Sequence, residues 1–468
     1  MTTNFKLILS DKANIVLKNG KAKLVCQTKY EQIFKYRLTR ESCIILSLFD
    51  GTRTLDKIID DVARLFNSGR NGAAKIVDKA INSFHQYIAE TKAVTRSLPT
   101  ISEIIENVST DALYAEAGNV LDFPDSIYYA ATNKCCFKCR YCYRDSDISI
   151  EEDEYLSPVR WEQLFKEVQQ HSRNSIVFDV GGGEPFLRKD LAELLHLAKQ
   201  HGLTTKTSTK MELPEKTVRE LKRINLDSLQ VSLDSNDPQI TGYLTGIKDS
   251  FLMAQKTIDR ANHYGVPLKV NAVITKYNID KIPYLIEYLE KKNIKKASLT
   301  KYIASCGRND TDLYAAQDQY DRLDDFMYRY NKNSPFIDID YQYSLGRATE
   351  SIKKEELPGL RVKCGGGKEQ LFIRHDGIVG FCDALLYDDN IILGDLKKQS
   401  ISEVWKSDKV KKWITPNIDD FVGTECHSCK KFYTCFPYRC FKRSIIAYHT
   451  PFEKDPFCPK GEKMLCIM

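Results

Sequence analysis

The chain has 468 residues, a formal net charge of +6 at pH 7 and a charged fraction of 28%. This length predicts two or three domains, while the charge and the charged fraction are ordinary and select no class of partner. No apolar run of about eighteen residues occurs and the amino terminus has no long apolar region, which argues against a membrane span and a secretion signal. We therefore expect a cytoplasmic protein without a membrane partner.

Residues 1–98 are predicted to form a separate module. Three short strands are expected at 5–9, 14–17 and 22–26. Asn19-Gly20 is typical of a hairpin turn between the last two. The apolar spacing then predicts three helices, over 39–49, 55–66 and 77–88. Such a winged-helix-like module could bind DNA or serve only for packing, but no arginine-rich helix stands out, which argues against nucleic acid.

A polar linker over 99–125 is predicted to lead into a domain of alternating strands and helices. Buried strands are expected at 126–132, 175–180, 204–208, 228–234, 268–274 and 297–302. Six such units predict an α/β fold, a partial (β/α)6 barrel of the TIM type over 126–310. Its active site would lie at the carboxyl ends of the strands. The polar candidates at or after those ends, which are also common turn formers, are Ser208, Ser232, Asp234, Asn271 and Arg308.

Cysteines at 135, 139 and 142 form a CxxxCxxC triplet with Tyr141 just before the third. Three thiolates on a short loop can hold three irons of a four-iron cluster and leave the fourth iron open. Zinc also takes thiolates at short spacings, so a lone triplet would leave a zinc site as an alternative. Clustering at such spacings favours metal over disulfides, whereas Cys26, Cys43 and Cys136 are expected to be packed apolar side chains.

A Gly182-Gly183-Glu184-Pro185 segment follows the second predicted strand. Glycines at a strand end let the backbone approach a ligand closely, and Glu184 supplies an acceptor for an ammonium group. The two motifs in this order resemble the signature of the radical S-adenosylmethionine (radical SAM) enzymes. The resemblance implies a four-iron cluster on Cys135, Cys139 and Cys142, whose open iron binds S-adenosylmethionine. One electron then releases a 5′-deoxyadenosyl radical that abstracts hydrogen. It also implies cofactor contacts from Tyr141, Gly182, Gly183, Glu184, Pro185, Ser208, Asp234 and Arg308.

A second cysteine set occupies the last quarter, beyond a helical bridge over 311–355. Its spacing, with a hairpin turn predicted at Asp376-Gly377, resembles the cysteine-rich SPASM extension of radical SAM enzymes, here over 356–468. By resemblance, an outer 4Fe–4S cluster would be held by Cys426, Cys429, Cys435 and Cys458, and an inner one by Cys364, Cys382 and Cys440. The family has three residues where 436–439 places four, which leaves Cys440 less secure. Cys306 or Cys466 would complete the inner cluster, or one of its irons is open.

The arrangement of the whole chain resembles maturases of ribosomally made peptides. The resemblance implies three 4Fe–4S clusters, S-adenosylmethionine, a flavodoxin or ferredoxin reductant, and a precursor peptide whose leader adds as a strand to the amino-terminal module. Residues 1–40, with a local net charge of +7, would suit an acidic leader. The predicted reaction is sulfur-to-carbon thioether crosslinking. Alternatives are carbon–carbon or carbon–oxygen crosslinking, sulfatase or quinone-cofactor maturation, and a peptide-binding iron–sulfur electron carrier without catalysis.

Overall fold

The computed structural model divides the chain into two compact units, Met1–Glu116 and Ala117–Met468. The residues that the structure describes are 6–9, 13–18, 21–27, 33–38, 40–66, 69–84, 88–91, 97–107, 121, 123–144, 146, 149, 155–171, 176–303, 310–332, 335–341, 364–415, 417–436, 439–456 and 458. Among these residues, no helix is both long and apolar enough to cross a membrane.

Unit 1 contains six described strands and four described helices. The strands are β1 (Lys6–Leu9), β2 (Ala13–Lys18), β3 (Lys21–Gln27), β4 (Ile33–Leu38), β5 (Asp50–Thr54) and β6 (Ile88–Thr91). The helices are α1 (Arg40–Ser47), α2 (Leu55–Leu65), α3 (Arg70–Phe84) and α4 (Ile101–Asn107). The strands form two antiparallel sheets of three, in the orders β5-β1-β6 and β2-β3-β4.

Local sequence explains much of this unit. Lys18 pairs with Lys21 across the predicted Asn19-Gly20 turn, which itself lies outside the described residues. Thr54 caps α2 by accepting a hydrogen bond from the backbone of Lys57. The expectation of three strands is wrong, because β4, β5 and β6 also form. Strand β5 is polar (DGTRT) and forms by pairing with β1, which is distant in the sequence, so no local apolar pattern predicts it.

Unit 2 is built on ten strands. They are β7 (Ser126–Thr132), β8 (Val177–Gly182), β9 (Thr204–Thr209), β10 (Ser228–Ser232), β11 (Leu268–Ile274), β12 (Lys296–Lys301), β13 (Asp338–Tyr341), β14 (Gln370–Ile373), β15 (Ile378–Gly380) and β16 (Ile392–Asp395). The described helices are α5 (Pro158–His171), α6 (Leu191–Gln200), α7 (Glu215–Arg223), α8 (Pro238–Thr245), α9 (Ser250–Tyr264), α10 (Ile282–Lys291), α11 (Gln317–Lys332), α12 (Ile401–Trp405), α13 (Asp408–Ile414), α14 (Phe432–Cys435) and α15 (Phe441–Tyr448).

All ten strands belong to one sheet, in the order β13-β12-β11-β10-β9-β8-β7-β14-β15-β16. Strands β7 to β13 run parallel, which confirms the predicted α/β class and the six predicted barrel strands. Strand β14 then pairs in parallel with β7, and the predicted hairpin joins it to β15. The cysteine-rich segment therefore continues the sheet of the barrel.

The two faces of this sheet differ in chemistry. Side chains such as Tyr129, Phe178 and Val231 are fully buried in the apolar core that packs against the helices. The alternate positions on five neighbouring strands point to the opposite face, here called the inner face, and are only partly buried. These positions are mostly polar, and they are Tyr128, Asp179, Lys206, Ser208, Gln230, Ser232, Lys269 and Asn271. A half-open polar surface thus lines the inside of the partial barrel.

Candidate active site

The cysteine loop, residues 133–143, is joined to the glycine segment after β8 by backbone hydrogen bonds. The amide of Gly183 donates to the carbonyl of Thr132 at 2.7 Å, and the amide of Glu184 donates to that of Lys134 at 2.8 Å. A Cβ added at Gly183 would lie 2.2 Å from the Lys134 oxygen. Gly182 has a φ of 122°, a conformation that L side chains rarely adopt. The glycines are required because they touch the cysteine loop itself.

The other side of the loop is held by α8. The amides of Lys138 and Arg140 donate to carbonyls at the end of that helix, at 3.0 and 2.9 Å. The three thiols share an apolar cluster whose buried members include Phe137, Leu244, Tyr302 and Leu313. Burial raises the pKa of Cys135 to about 12 and that of Cys139 to about 11. These thiols are protonated at neutral pH, and binding a metal would deprotonate them.

Glu184 is 2% exposed and is held by three donors. Its Oε1 accepts from the Thr209 hydroxyl at 2.9 Å and the Phe186 amide at 3.3 Å, and its Oε2 accepts from the Lys210 amide at 3.1 Å. Burial raises the pKa of Glu184, while these hydrogen bonds favour its ionised form. An ionised carboxylate has about four acceptor sites, so one is left for a ligand ammonium group.

Tyr141 and Asp234, both predicted cofactor contacts, are bonded to each other. The Tyr141 hydroxyl donates to Oδ2 of Asp234, whose Oδ1 accepts from the Val273 amide at 2.9 Å. Burial and the Asp234 charge hold the pKa of Tyr141 well above its usual value, so the phenol is a donor. Asp234 therefore orients Tyr141 beside Cys139, and its direct contact with a cofactor stays a prediction.

Lys210 is a site residue that sequence reasoning missed. Its ammonium lies 5.6 Å from the centroid of the Tyr141 ring. Burial lowers its pKa, but the thiols of the triplet and Asp234 outweigh burial, and the pKa is raised. Its position directly after Ser208 and Thr209, at the end of β9, was the available signal.

Of the remaining polar candidates, Ser208 and Asn271 lie on the inner face. Ser208 lies on the inner face of β9, opposite Gln230 of β10. Asn271 accepts hydrogen bonds from Ser298 at 2.7 Å and Thr300 at 3.0 Å. Arg308 lies outside the described residues, as do Cys306 and Cys466.

The inner group, Cys364, Cys382 and Cys440, comes together from three separate segments. Burial raises the pKa of Cys364 and raises that of Cys382 well above its usual value, and the thiols of this group act electrostatically on one another. The Cys440 amide donates to Asp455 at 3.1 Å, and Asp455 pairs with Arg443 at 2.7 Å. This ion pair anchors the third cysteine of the group at the start of α15.

The outer group is Cys426, Cys429, Cys435 and Cys458. Burial raises the pKa of Cys426, on which Cys458 and Cys429 act electrostatically. Arg439 contacts the Cys426 sulfur, with Nη1 at 3.7 Å. Arg439 belongs to the segment that is one residue longer than expected, so this segment places a cation beside the outer group.

The donor chemistry fits iron–sulfur clusters. None of the cysteines whose side chains are described is in a disulfide, and ten of them belong to the three predicted groups of soft sulfur donors. Within the described residues, no three His, Cys, Asp or Glu side chains surround a point that would hold a single metal ion. In a four-iron cluster each thiolate binds its own iron, so the thiols surround the whole cluster. Cys43, by contrast, is buried in the core of unit 1, as predicted.

Comparisons with known proteins agree with this arrangement. Residues 129–289 match the model of the radical SAM superfamily, and residues 364–430 match SPASM, an iron–sulfur cluster-binding domain. The first match spans β7 to α10 and both motifs that form the cysteine loop site. The second contains Cys364, Cys382, Cys426 and Cys429.

Solved structures share the fold at low sequence identity. SuiB from Streptococcus suis bound to precursor peptide SuiA has a TM-score of 0.62 at 18% identity, over 97% of this chain and 100% of that chain. SuiB bound to S-adenosylmethionine has a TM-score of 0.59 at 18% identity, over 95% and 98%. Histidine-tagged anSMEcpe with bound AdoMet has a TM-score of 0.52 at 19% identity, over 71% and 91%.

Proposed function

Because the chain is a radical SAM enzyme with an SPASM domain, we propose that it is a maturase that installs sulfur-to-carbon thioether crosslinks in a ribosomally made precursor peptide. The observation that carries this proposal is the likeness to a peptide-bound structure, which includes unit 1 as well as the barrel. An enzyme acting only on small molecules would have no evident need for a unit of this kind in front of the barrel. The half-open polar inner face offers donors and acceptors for an extended peptide.

The first cluster would be held by Cys135, Cys139 and Cys142. Glu184 has an acceptor site left for the ammonium group of S-adenosylmethionine, and Lys210 supplies a cation for its carboxylate. Bound together, this cluster and cofactor would supply the 5′-deoxyadenosyl radical. The buried pair of Tyr141 and Asp234 keeps the cysteine loop in place, and the apolar cluster around the thiols excludes water.

The inner group supports the thioether reaction in particular. It has three cysteines among the described residues, and its two possible partners, Cys306 and Cys466, lie outside them. A cysteine of the precursor would be the fourth ligand, since a thiolate is a preferred soft ligand for iron. Binding there would deprotonate the peptide thiol and fix its distance from the carbon radical. Together with the outer group, this gives three 4Fe–4S clusters per chain.

Unit 1 would bind the leader of the precursor. Among the described strands, the edges of its sheets are β2, β4, β5 and β6, and an extended peptide can pair with such an edge. The lysines of β2 and β3 contribute to the local positive charge, which would favour an acidic leader.

A cysteine-to-serine swap in the precursor tests the proposal. The probes are a candidate precursor, to be sought among small peptides encoded by genes next to this one, and a copy with its core cysteines changed to serine. With the anaerobically reconstituted protein, the cysteine peptide should lose a pair of hydrogen atoms per crosslink and perturb the spectroscopic signal of one auxiliary cluster. The serine peptide should do neither. Modification of both peptides, without a change in any cluster signal, would contradict thioether formation and favour carbon–carbon or carbon–oxygen crosslinks.

A further inference from the structure

Arg144, two residues beyond the last cysteine of the triplet, is a buried cation without an ion-pair partner among the described residues. It is 8% exposed, and its Nε, Nη1 and Nη2 atoms all lack a hydrogen-bond acceptor there. Of the other buried guanidinium groups of unit 2 among the described residues, Arg188 is paired with Asp190, and Arg439 contacts the sulfur of Cys426. A guanidinium group carries five N–H donors, so Arg144 has most of its hydrogen-bonding capacity to offer a ligand.

Burying a charge without an ion pair is costly, and the contacts of Arg144 among the described residues are with the faces of two aromatic rings. Its guanidinium lies 5.1 Å from the ring centroid of Tyr128 and 5.2 Å from that of Tyr143. Such cation–π contacts are worth much less than the desolvation of a full charge. Asp383 acts on Arg144 electrostatically, but no ion pair joins the two within the described part of the chain. A ligand that brings a negative charge would satisfy the group.

The position of Arg144 is on the substrate side of the barrel. Tyr128 projects from the inner face of β7, and its strand neighbour in the register is Asp179 of β8. Asp383 follows Cys382 of the inner group directly. Arg144 therefore contacts a residue of the inner face and is within electrostatic reach of the residue that follows Cys382.

A separate cation serves the cofactor. Lys210 acts on all three thiols of the triplet and on Asp234, whereas the electrostatic neighbours of Arg144 are Tyr128, Tyr143, Asp383 and Tyr387. Lys210 would pair with the carboxylate of S-adenosylmethionine, so Arg144 is left to pair with a carboxylate from another ligand. The planar fork of Arg144 matches a carboxylate in a bidentate way.

We propose that Arg144 binds a carboxylate of the core peptide, from an Asp or Glu side chain close to the modified residue. This inference rests on the proposed function and narrows its substrate class to an acidic core. It also explains why two tyrosine rings hold the guanidinium group in place, because a site that is already ordered loses little free energy when the peptide binds.

The test compares the candidate precursor with a copy whose core Asp and Glu residues are changed to Asn and Gln. The unaltered protein should bind the core of the neutral copy about tenfold to hundredfold more weakly than that of the acidic peptide, and its modification rate should fall by a similar factor. Arg144→Gln should bind and modify both peptides equally poorly, and Arg144→Lys should restore part of the preference. Cleavage of S-adenosylmethionine without peptide should stay unchanged in Arg144→Gln, since Lys210 serves the cofactor.

Arg140→Gln is the matched control, because Arg140 precedes Arg144 by four residues but is already paired with Asp310 at 2.6 Å. It should keep the preference for the acidic peptide. Arg144→Gln should also unfold no earlier than the unaltered protein, because it removes an uncompensated charge. The inference is overturned if the core contains no Asp or Glu, or if the unaltered protein uses both peptides equally. Either result leaves the proposed function standing. A weakened affinity for S-adenosylmethionine in Arg144→Gln assigns the carboxylate to the cofactor and also overturns it. Failure to modify either peptide contradicts the proposed function as well.

Discussion

The glycine segment shows how a residue can be predicted correctly and explained incompletely. Glycines after β8 were expected to let the backbone approach a ligand. In the structure they let it approach the cysteine loop, since any side chain at Gly183 would overlap the backbone of Lys134. The close approach brings Glu184 next to the loop, where its amide is bonded to Lys134. The two motifs thus form one structural unit.

Gly183→Ala tests this contact. The added methyl group meets a backbone oxygen that has no flexible end to move, so we expect destabilisation by about 1–3 kcal/mol. The cysteine loop should shift, and about a third of the iron should be lost on anaerobic reconstitution if each chain holds three equal clusters. Thermal unfolding and iron analysis measure the two effects.

The control is Gly69→Ala, because no heavy atom lies within 4 Å of the position that its Cβ would take. It should leave the iron content and the unfolding temperature nearly unchanged. Full iron loading of Gly183→Ala would show that the loop does not depend on this contact.

The role of a single residue can be predicted from the sequence where the spacing of a motif specifies it. The triplet and Glu184 stand in recognisable motifs, whereas Lys210 becomes part of the site only because β9 ends beside the cysteine loop. The pair of Tyr141 and Asp234 is likewise a tertiary contact between residues 93 positions apart. No local pattern specifies such a pairing.

At the scale of elements, buried parallel strands were the most predictable. The predicted bounds of β7 and β11 agree with the structure residue for residue, because an apolar run between turn residues marks a central strand. The missed strands are short edge strands. Strand β13 (DIDY) has no apolar run and forms because it pairs with β12.

The segment expected to be a linker contains α4. Ile104 of this helix is fully buried in the core of unit 1, and the compact unit extends to Glu116. Helix α4 has only two turns, and it contains too few apolar residues to predict a helix within a polar stretch. A cut after residue 98 would therefore remove most of the unit and leave α4 without its core.

Deleting residues 1–116 should abolish peptide modification while S-adenosylmethionine is still cleaved without coupling to product. The physical reason is that unit 1 is proposed to bind the leader, while the cysteine loop and Glu184 belong to unit 2. Peptide affinity, measured by fluorescence anisotropy with labelled precursor, should fall and should weaken with salt in the full chain. Deleting residues 1–98 serves as the comparison and should give a less soluble protein, because it exposes Ile101 and Ile104. Unchanged peptide affinity after removal of 1–116 would rule out unit 1 as the recognition site.

For the whole molecule, the main difference from expectation is the continuity of unit 2. The barrel and the cysteine-rich extension were expected as successive domains, but β14 pairs with β7 and extends the same sheet. Sequence alone gives no register between strands that are over two hundred residues apart. This pairing joins the hairpin that leads to Cys382 to the first strand of the barrel.

The most direct test of the account is the joint change of Cys135, Cys139 and Cys142 to Ala. The unaltered protein should bind roughly twelve irons per chain, cleave S-adenosylmethionine to 5′-deoxyadenosine and modify the precursor. The triple variant should lose about a third of the iron, all cleavage and all modification, while the auxiliary clusters stay. Cleavage of S-adenosylmethionine that survives in the triple variant would contradict the assignment of the reaction to the cysteine loop.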